Sequence, residues 1–276
     1  GEVLALASSP VYTSATVTQD WPALSAAVSS PFLNRATQAL AQPGTSLQPF
    51  ILASALQRDP SWAPMGEISR TIAINGTAVG CRIAPSDLGW QALLTAGCPA
   101  PFAEVARQLG NSTFTEEMAR WGFLDAPGLT IPTVAVDLGQ RQLDAWEDGL
   151  GQGELLVTPL QMVQAMAALG NDGVRPDLHL LETQLVGCAE PAEPNAERVI
   201  DAEIADQTRR LLSPYAGTVG HLGISLAGHD RVQAWFAGLN SASVPRYAVV
   251  VFLDEVRDPK LALSIGVDLM QNLATR

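Results

Sequence analysis

The stretch GQGELLVTPLQMVQAMAALGNDG, residues 151–173, decides how this chain is read. Gly151-Gln152-Gly153 marks a tight turn. Thr158 stands in an N-cap position, and Pro159 falls at the first helical position, where its missing N–H costs nothing. Met162, Ala165, Met166 and Leu169 then recur on one face, and Gly170-Asn171-Asp172-Gly173 is a stop signal. The stretch predicts a core helix entered through a glycine turn. The glycines of GLGQG (149–153) are spaced faintly like a nucleotide loop. They lack a preceding strand, a third glycine at the right distance and a following Lys-Ser/Thr, so a tight turn is the reading.

Working outward, Asp201–Leu212 predicts another helix. AWFAGLN (234–240) and RYAVVVFLD (246–254) predict two apolar strands joined by a short Ser/Pro loop, hence a hairpin, and a helix follows over 261–273. Towards the N-terminus, Ser86–Thr95, Phe102–Leu109 and Thr115–Trp121 read as helices, with Cys98-Pro99-Ala100-Pro101 as an interruption and Gly122 as a stop. Asn75-Gly76 suggests a hairpin turn. A helix is expected from Thr45, capped by Thr45 or Ser46, with Pro49 in its first turn. EVLALA (2–7) reads as a strand. Strands at both ends with helices between imply an α/β (α+β) fold, in which one sheet is covered by helices and the first strand joins the last hairpin. No repeat and no linker interrupts the 276 residues. One domain over 1–276 is expected, mainly helical over about 50–200.

Composition narrows the function. A hydrophobic fraction of 47%, a charged fraction of 16% and a mean hydropathy of +0.15 describe a globular chain. The net charge of −12 offers no basic stripe for nucleic-acid phosphates or anionic lipid. The longest clear apolar run, Ala248–Leu253, falls far short of the roughly 18 residues that span a bilayer. Cys81, Cys98 and Cys188 form an odd set without metal spacing. Cys81 and Cys98 flank a segment short enough to bridge, but connectivity is not readable from sequence. His179, His221 and His229 sit in no HExxH motif, so neither metal nor cofactor is expected. Glu116-Glu117 and Asp254-Glu255 are adjacent pairs, read as solvated surface. No serine occupies a GxSxG elbow. Lys260 is the single lysine among 16 basic residues. A guanidinium is effectively never deprotonated, so the arginines cannot replace a lysine that must carry a proton.

Several segments, in order along nearly the whole chain, resemble the transpeptidase domain of penicillin-binding proteins. GEVLALASSP resembles that domain's first strand. Phe32-Leu33-Asn34-Arg35-Ala36-Thr37-Gln38 with Gln42-Pro43-Gly44 resembles the approach to its nucleophile, and Ala103–Phe123 resembles its next helical stretch, ending in Trp-Gly-Phe. The 151–173 block is very similar to the family's own, and Ala234-Trp235-Phe236-Ala237-Gly238 resembles a central strand. The resemblance implies a β-lactamase-like fold: a central antiparallel sheet of about five strands with helices on both faces and a mainly helical subdomain.

The family's chemistry depends on three motifs, and this chain departs from each. Ser-x-x-Lys after Pro-Gly supplies a nucleophile for a D-alanyl-D-alanine stem peptide or a β-lactam, and a lysine that takes its proton. The matching positions are Thr45 and Gln48, with Ser46 adjacent, and an amide is no base. Ser-x-Asn matches Gly97-Cys98-Pro99, without hydroxyl or amide. Lys-Thr-Gly-Thr, which holds the substrate carboxylate, matches Leu226-Ala227-Gly228-His229 when counted back from Trp235, and only the glycine is kept. An oxyanion hole from the Thr45 and His229 N–H groups would serve an intermediate that nothing forms.

The expectation is a catalytically silent transpeptidase-like domain. Its role would be structural or binding in cell-wall synthesis, with a wall-synthesis protein or a peptidoglycan stem peptide as partner. The resemblance also implies an extracytoplasmic site, with a membrane anchor and pedestal region outside the 276 residues. The rival expectation is an active acyl-transfer enzyme or D,D-peptidase using Thr45 or Ser46 with His229 as base.

Overall fold

A computed structural model describes residues 1–64, 71–74, 76–180, 196–227 and 231–274. In chain order it forms α1 (Ser14–Gln19), α2 (Trp21–Ala26), α3 (Arg35–Gln38), a 3-10 turn (Gly44–Leu47), α4 (Gln48–Arg58), β1 (Ile72–Ile74), β2 (Thr77–Val79), α5 (Trp90–Ala96), α6 (Pro99–Leu109) and α7 (Asn111–Arg120). There follow α8 (Pro159–Gly170), β3 (Val174–Arg175), β4 (Glu197–Arg198), α9 (Ala202–Leu211), β5 (Ser213–Tyr215), β6 (Thr218–Leu226), β7 (Val232–Leu239), β8 (Ala248–Val256) and α10 (Lys260–Ala274). The main sheet is antiparallel in the order β5-β6-β7-β8.

Burial explains the layering. α4 is buried along nearly its whole length and sits at the centre of a core that includes Phe50, Trp121 and Phe123, with Trp235 of β7 reaching in from the sheet. On the other face of the sheet, Leu222, Ala234 and Phe236 pack with Ala262 and Met270 of α10. β7 is the middle of this sandwich, and its Ala234–Leu239 segment is buried throughout. That is why AWFAGL is continuously apolar rather than alternating.

α8 is the helix the 151–173 stretch predicts. Thr158 and Gln161 form a reciprocal capping box with Pro159 at the first position. Gln161 does a second job: its Nε2 donates to the carbonyls of Gly122, Phe123 and Asp125 at 3.3, 3.0 and 3.0 Å. The buried side chain thus ties α8 to the Trp121-Gly122-Phe123 turn.

Several expectations are corrected. The described main sheet has four strands, and residues 2–7 are not among them. Glu2 instead makes a parallel bridge to His179. Most of residues 2–7 are exposed, so the apolar run has no buried face to hold it in a sheet. α6 starts at Pro99, because prolines in a first turn forfeit no hydrogen bond; the expected interruption is the helix start. α7 begins at Asn111, and α5 begins only at Trp90, after a turn in which Asp87 accepts from the Gly89 N–H. The expected helix at Thr45 opens as a 3-10 turn, and neither Thr45 nor Ser46 caps it. Glu117 is not solvated surface: it is buried, with Arg58 and Arg120 at 3.1 and 3.5 Å from its carboxylate. Asn75 and Cys188 lie outside the described residues.

Candidate functional site

The Gly44–Leu47 turn is wedged between two other segments. Gly44 has φ +54, and a Cβ there would stand 2.0 Å from the Ile224 carbonyl, so only glycine fits. Its N–H donates to Gly151 O at 2.9 Å. The glycine turn before α8 therefore backs the 3-10 turn from one side. β6 closes the other side, where a Cβ on Gly223 would meet Ser46 N at 2.3 Å.

This packing fixes Thr45 and Ser46. The Ile224 N–H donates to Thr45 Oγ1 at 2.9 Å, and the same hydroxyl faces Ile224 O at 3.5 Å. The Ser46 hydroxyl donates to Pro43 O. Gln48 is buried, and its Nε2 donates to Cys98 O at 2.8 Å while its Oε1 has no partner. The amide therefore ties the start of α4 to Cys98 just before α6, and an amide is no general base. Among the described residues no side-chain base hydrogen-bonds either hydroxyl.

His221 is the group that sequence reasoning missed. It is fully buried on β6, with Nε2 2.8 Å from Thr45 O. A carbonyl only accepts, so Nε2 carries the proton in that contact. Burial drives its pKa down to about 4, against the raising effect of the Thr45 contact, and the Arg82 charge lowers it further. The ring is neutral at pH 7 and holds the turn's backbone, not its hydroxyl. The tetrapeptide lying on the Thr45–Ser46 turn is thus His221-Leu222-Gly223-Ile224. It has glycine in third place, as Lys-Thr-Gly-Thr does.

The cleft beside Thr45 is lined by Gly97, Pro99, Gln152, Ile224, Leu226 and the β1–β2 hairpin, among others, with no charged lining side chain among the described residues. Its volume is about 20 Å³, room for little more than one water-sized guest. Of the residues singled out from sequence, the structure brings together Thr45, Gly97, Pro99 and Leu226 here, with Ser46 on the same turn as Thr45 and Gln48 opening α4 directly after it. Ala227 is described, and its N–H closes the β6–β7 turn on Arg231 O. Gly228 and His229 lie outside the described residues. Lys260 is exposed at the start of α10 and does not line the cleft. Cys81 and Cys98 form a disulfide that ties the end of the β1–β2 hairpin to the start of α6. Among the described residues no cluster of histidine, cysteine or carboxylates could hold a metal ion.

Comparison with known proteins gives the same family as the motif order. Residues 90–271 match the profile of the penicillin binding protein transpeptidase domain. Peptidoglycan D,D-transpeptidase PbpA of Mycolicibacterium smegmatis is 28% identical over 97% of this chain. Peptidoglycan D,D-transpeptidase FtsI of Escherichia coli is 25% identical over 92%. The chain spans 60% of the length of the first and 45% of the second. Among solved structures, penicillin-binding protein A from M. tuberculosis, as an imipenem acyl-enzyme complex, superposes with a TM-score of 0.80 at 20% identity, covering 99% of this chain and 70% of that one. The matched profile spans most of the chain: the chain belongs to the penicillin-binding protein transpeptidase domain family.

Proposed function

We propose that this domain is catalytically silent and works as a structural or binding module in peptidoglycan synthesis. One observation carries the reading: the position that should hold the proton-accepting lysine holds Gln48, whose amide is spent on Cys98 O. Thr45 keeps a hydroxyl, but its β-methyl crowds attack and its oxygen already accepts from Ile224 N–H. The third motif, taken at His221–Ile224 or at Leu226–His229, has no lysine in either register. Losing a cation and a hydroxyl from an anion site removes roughly 1.5 to 3 kcal/mol per charged hydrogen bond, so substrate affinity falls along with chemistry.

The partner is a wall-synthesis protein or the stem peptide itself, and the compartment is extracytoplasmic. The Cys81–Cys98 disulfide supports an oxidising compartment. Among the described residues no helix is long and apolar enough to cross a membrane.

The test is labelling with a fluorescent penicillin, beside an active transpeptidase domain of the family. No band is expected from this chain under conditions that saturate the control. A saturable band mapping to Thr45 or Ser46 would establish the rival reading, an acyl-transfer enzyme with another base such as His229.

A further inference from the structure

β8 is the last strand of the main sheet, and among the described residues it pairs with β7 alone. Its inner side is used: Ala248–Leu253 pair with Leu239–Ala234. Beyond that ladder, no main-chain group of β8 bonds the backbone of any other described residue. About every second residue of a strand turns its N–H and C=O to a given side, so the outer edge is left with a row of unmet donors and acceptors.

An edge of this length is ordinarily blunted by lysine, proline or an inward-pointing charge. AVVVFL, residues 248–253, carries none of these, and the register shift and the acids Asp254 and Glu255 come only after it. Both faces of the strand are already covered: Ala248, Val250 and Phe252 pack on the large core, and Val249, Val251 and Leu253 on the cluster with α10. What remains free is the edge itself, which suits an extended strand and not a helix.

The charges beside the edge choose which strand. Arg246, just before β8, is exposed and forms no ion pair among the described residues. Asp254 is exposed, its carboxylate accepting from Gln233 Nε2 at 3.0 Å. Antiparallel pairing with a second β8, centred on Val250, sets Val249 opposite Val251, Ala248 opposite Phe252 and Arg246 opposite Asp254, and the two-fold axis repeats each pair. In-register parallel pairing would set arginine on arginine and acid on acid. For a chain of net charge −12, a self-complementary pair of charges flanking an uncharged strand is the pattern that a second copy fits.

We propose that the free edge of β8 is an interface for a second copy of this chain, which joins antiparallel through its own β8 so that the two four-stranded sheets become one. Main-chain hydrogen bonds and the apolar cross-strand pairs hold the contact, and the Arg246–Asp254 pairs set its register. The inference goes beyond the silent reading of the Thr45 turn: a penicillin adduct would end that reading and leave this one standing.

Sedimentation velocity of the 276-residue protein over a dilution series should show a reversible shift between 29.1 kDa and twice that mass. Arg246→Glu changes an exposed side chain, sets like charges opposite each other at both ends of the contact, and should weaken the dimer about tenfold. Combining it with Asp254→Arg should restore the wild-type association. Amide exchange within 248–253 should slow from dilute to concentrated wild type, and that comparison decides if a variant does not fold. A protein that stays monomeric up to millimolar concentration overturns the proposal, whether its β8 amides are open or are covered by another segment of the same chain. A dimer that Arg246→Glu leaves unchanged, or that the double variant does not restore, overturns it as well.

Discussion

Asp148 lies buried beside the Gly149–Gly153 turn, accepting from the Leu155 N–H at 2.7 Å with its second oxygen unpartnered. Burial raises its pKa to about 6; the backbone hydrogen bonds oppose that, and the nearby Asp144 and Glu154 charges add to it. A carboxyl raised on folding favours the folded state at low pH, and that contribution is lost as pH climbs from about 4 to about 6. His221 does the reverse. Its pKa is depressed to about 4, so its contribution is present above about 6.5 and is lost as pH falls towards 4. The two groups therefore oppose each other across one window. Asp148→Asn should give a protein whose stability falls more steeply on acidification than wild type, and His221→Gln one that falls less steeply, both read by denaturant midpoints between pH 4 and 6.5. Identical profiles for all three proteins would remove both assignments. Neither group was legible as such in the sequence. Asp148 is one of several acids in QLDAWEDGL, and only its packing under the turn distinguishes it. His221 was hidden because counting back from Trp235 takes no account of how far β6 runs along β7, where Ile224 pairs with Ala234 and Gly220 with Gly238.

The elements best read from sequence are those whose signals are local. α8 announces itself by Thr158, Pro159 and a periodic apolar face, and the β7–β8 hairpin by two apolar runs across a Ser/Pro loop. The 2–7 run departs from the expected strand because a short apolar run before a Ser-Ser-Pro turn shows strand propensity, not whether a partner strand is available. Gln161 illustrates what remains out of view: its place in the capping box is readable, but its contacts to Gly122, Phe123 and Asp125 are tertiary. Gln161→Ala removes the return half of the box and leaves buried carbonyls without their donor. It should cost about 2 to 3 kcal/mol in chemical denaturation. A loss under about 0.5 kcal/mol, the scale of a surface change, would mean the side chain is not what joins α8 to the Trp121 turn.

At the scale of the molecule, the fold of the penicillin-binding protein transpeptidase domain is kept, and the chain's single lysine, Lys260, stands away from the cleft. The turn at Gly44, the glycine backing at Gly151 and the close approach at Gly223 surround hydroxyls to which, among the described residues, no side-chain base hydrogen-bonds. The Cys81–Cys98 bridge closes a loop with a sequence separation of 17 across this region. Replacing both cysteines should lower global stability by about 3 kcal/mol if loop entropy dominates. Unchanged thermal and denaturant midpoints would show that the bridge serves the cleft alone.

The most direct measurement is the intact mass of the protein after prolonged incubation with excess benzylpenicillin. With no lysine in the cleft to take the proton, the account predicts an unchanged mass. A stable gain of one penicillin per chain, located at Thr45 or Ser46, would contradict it.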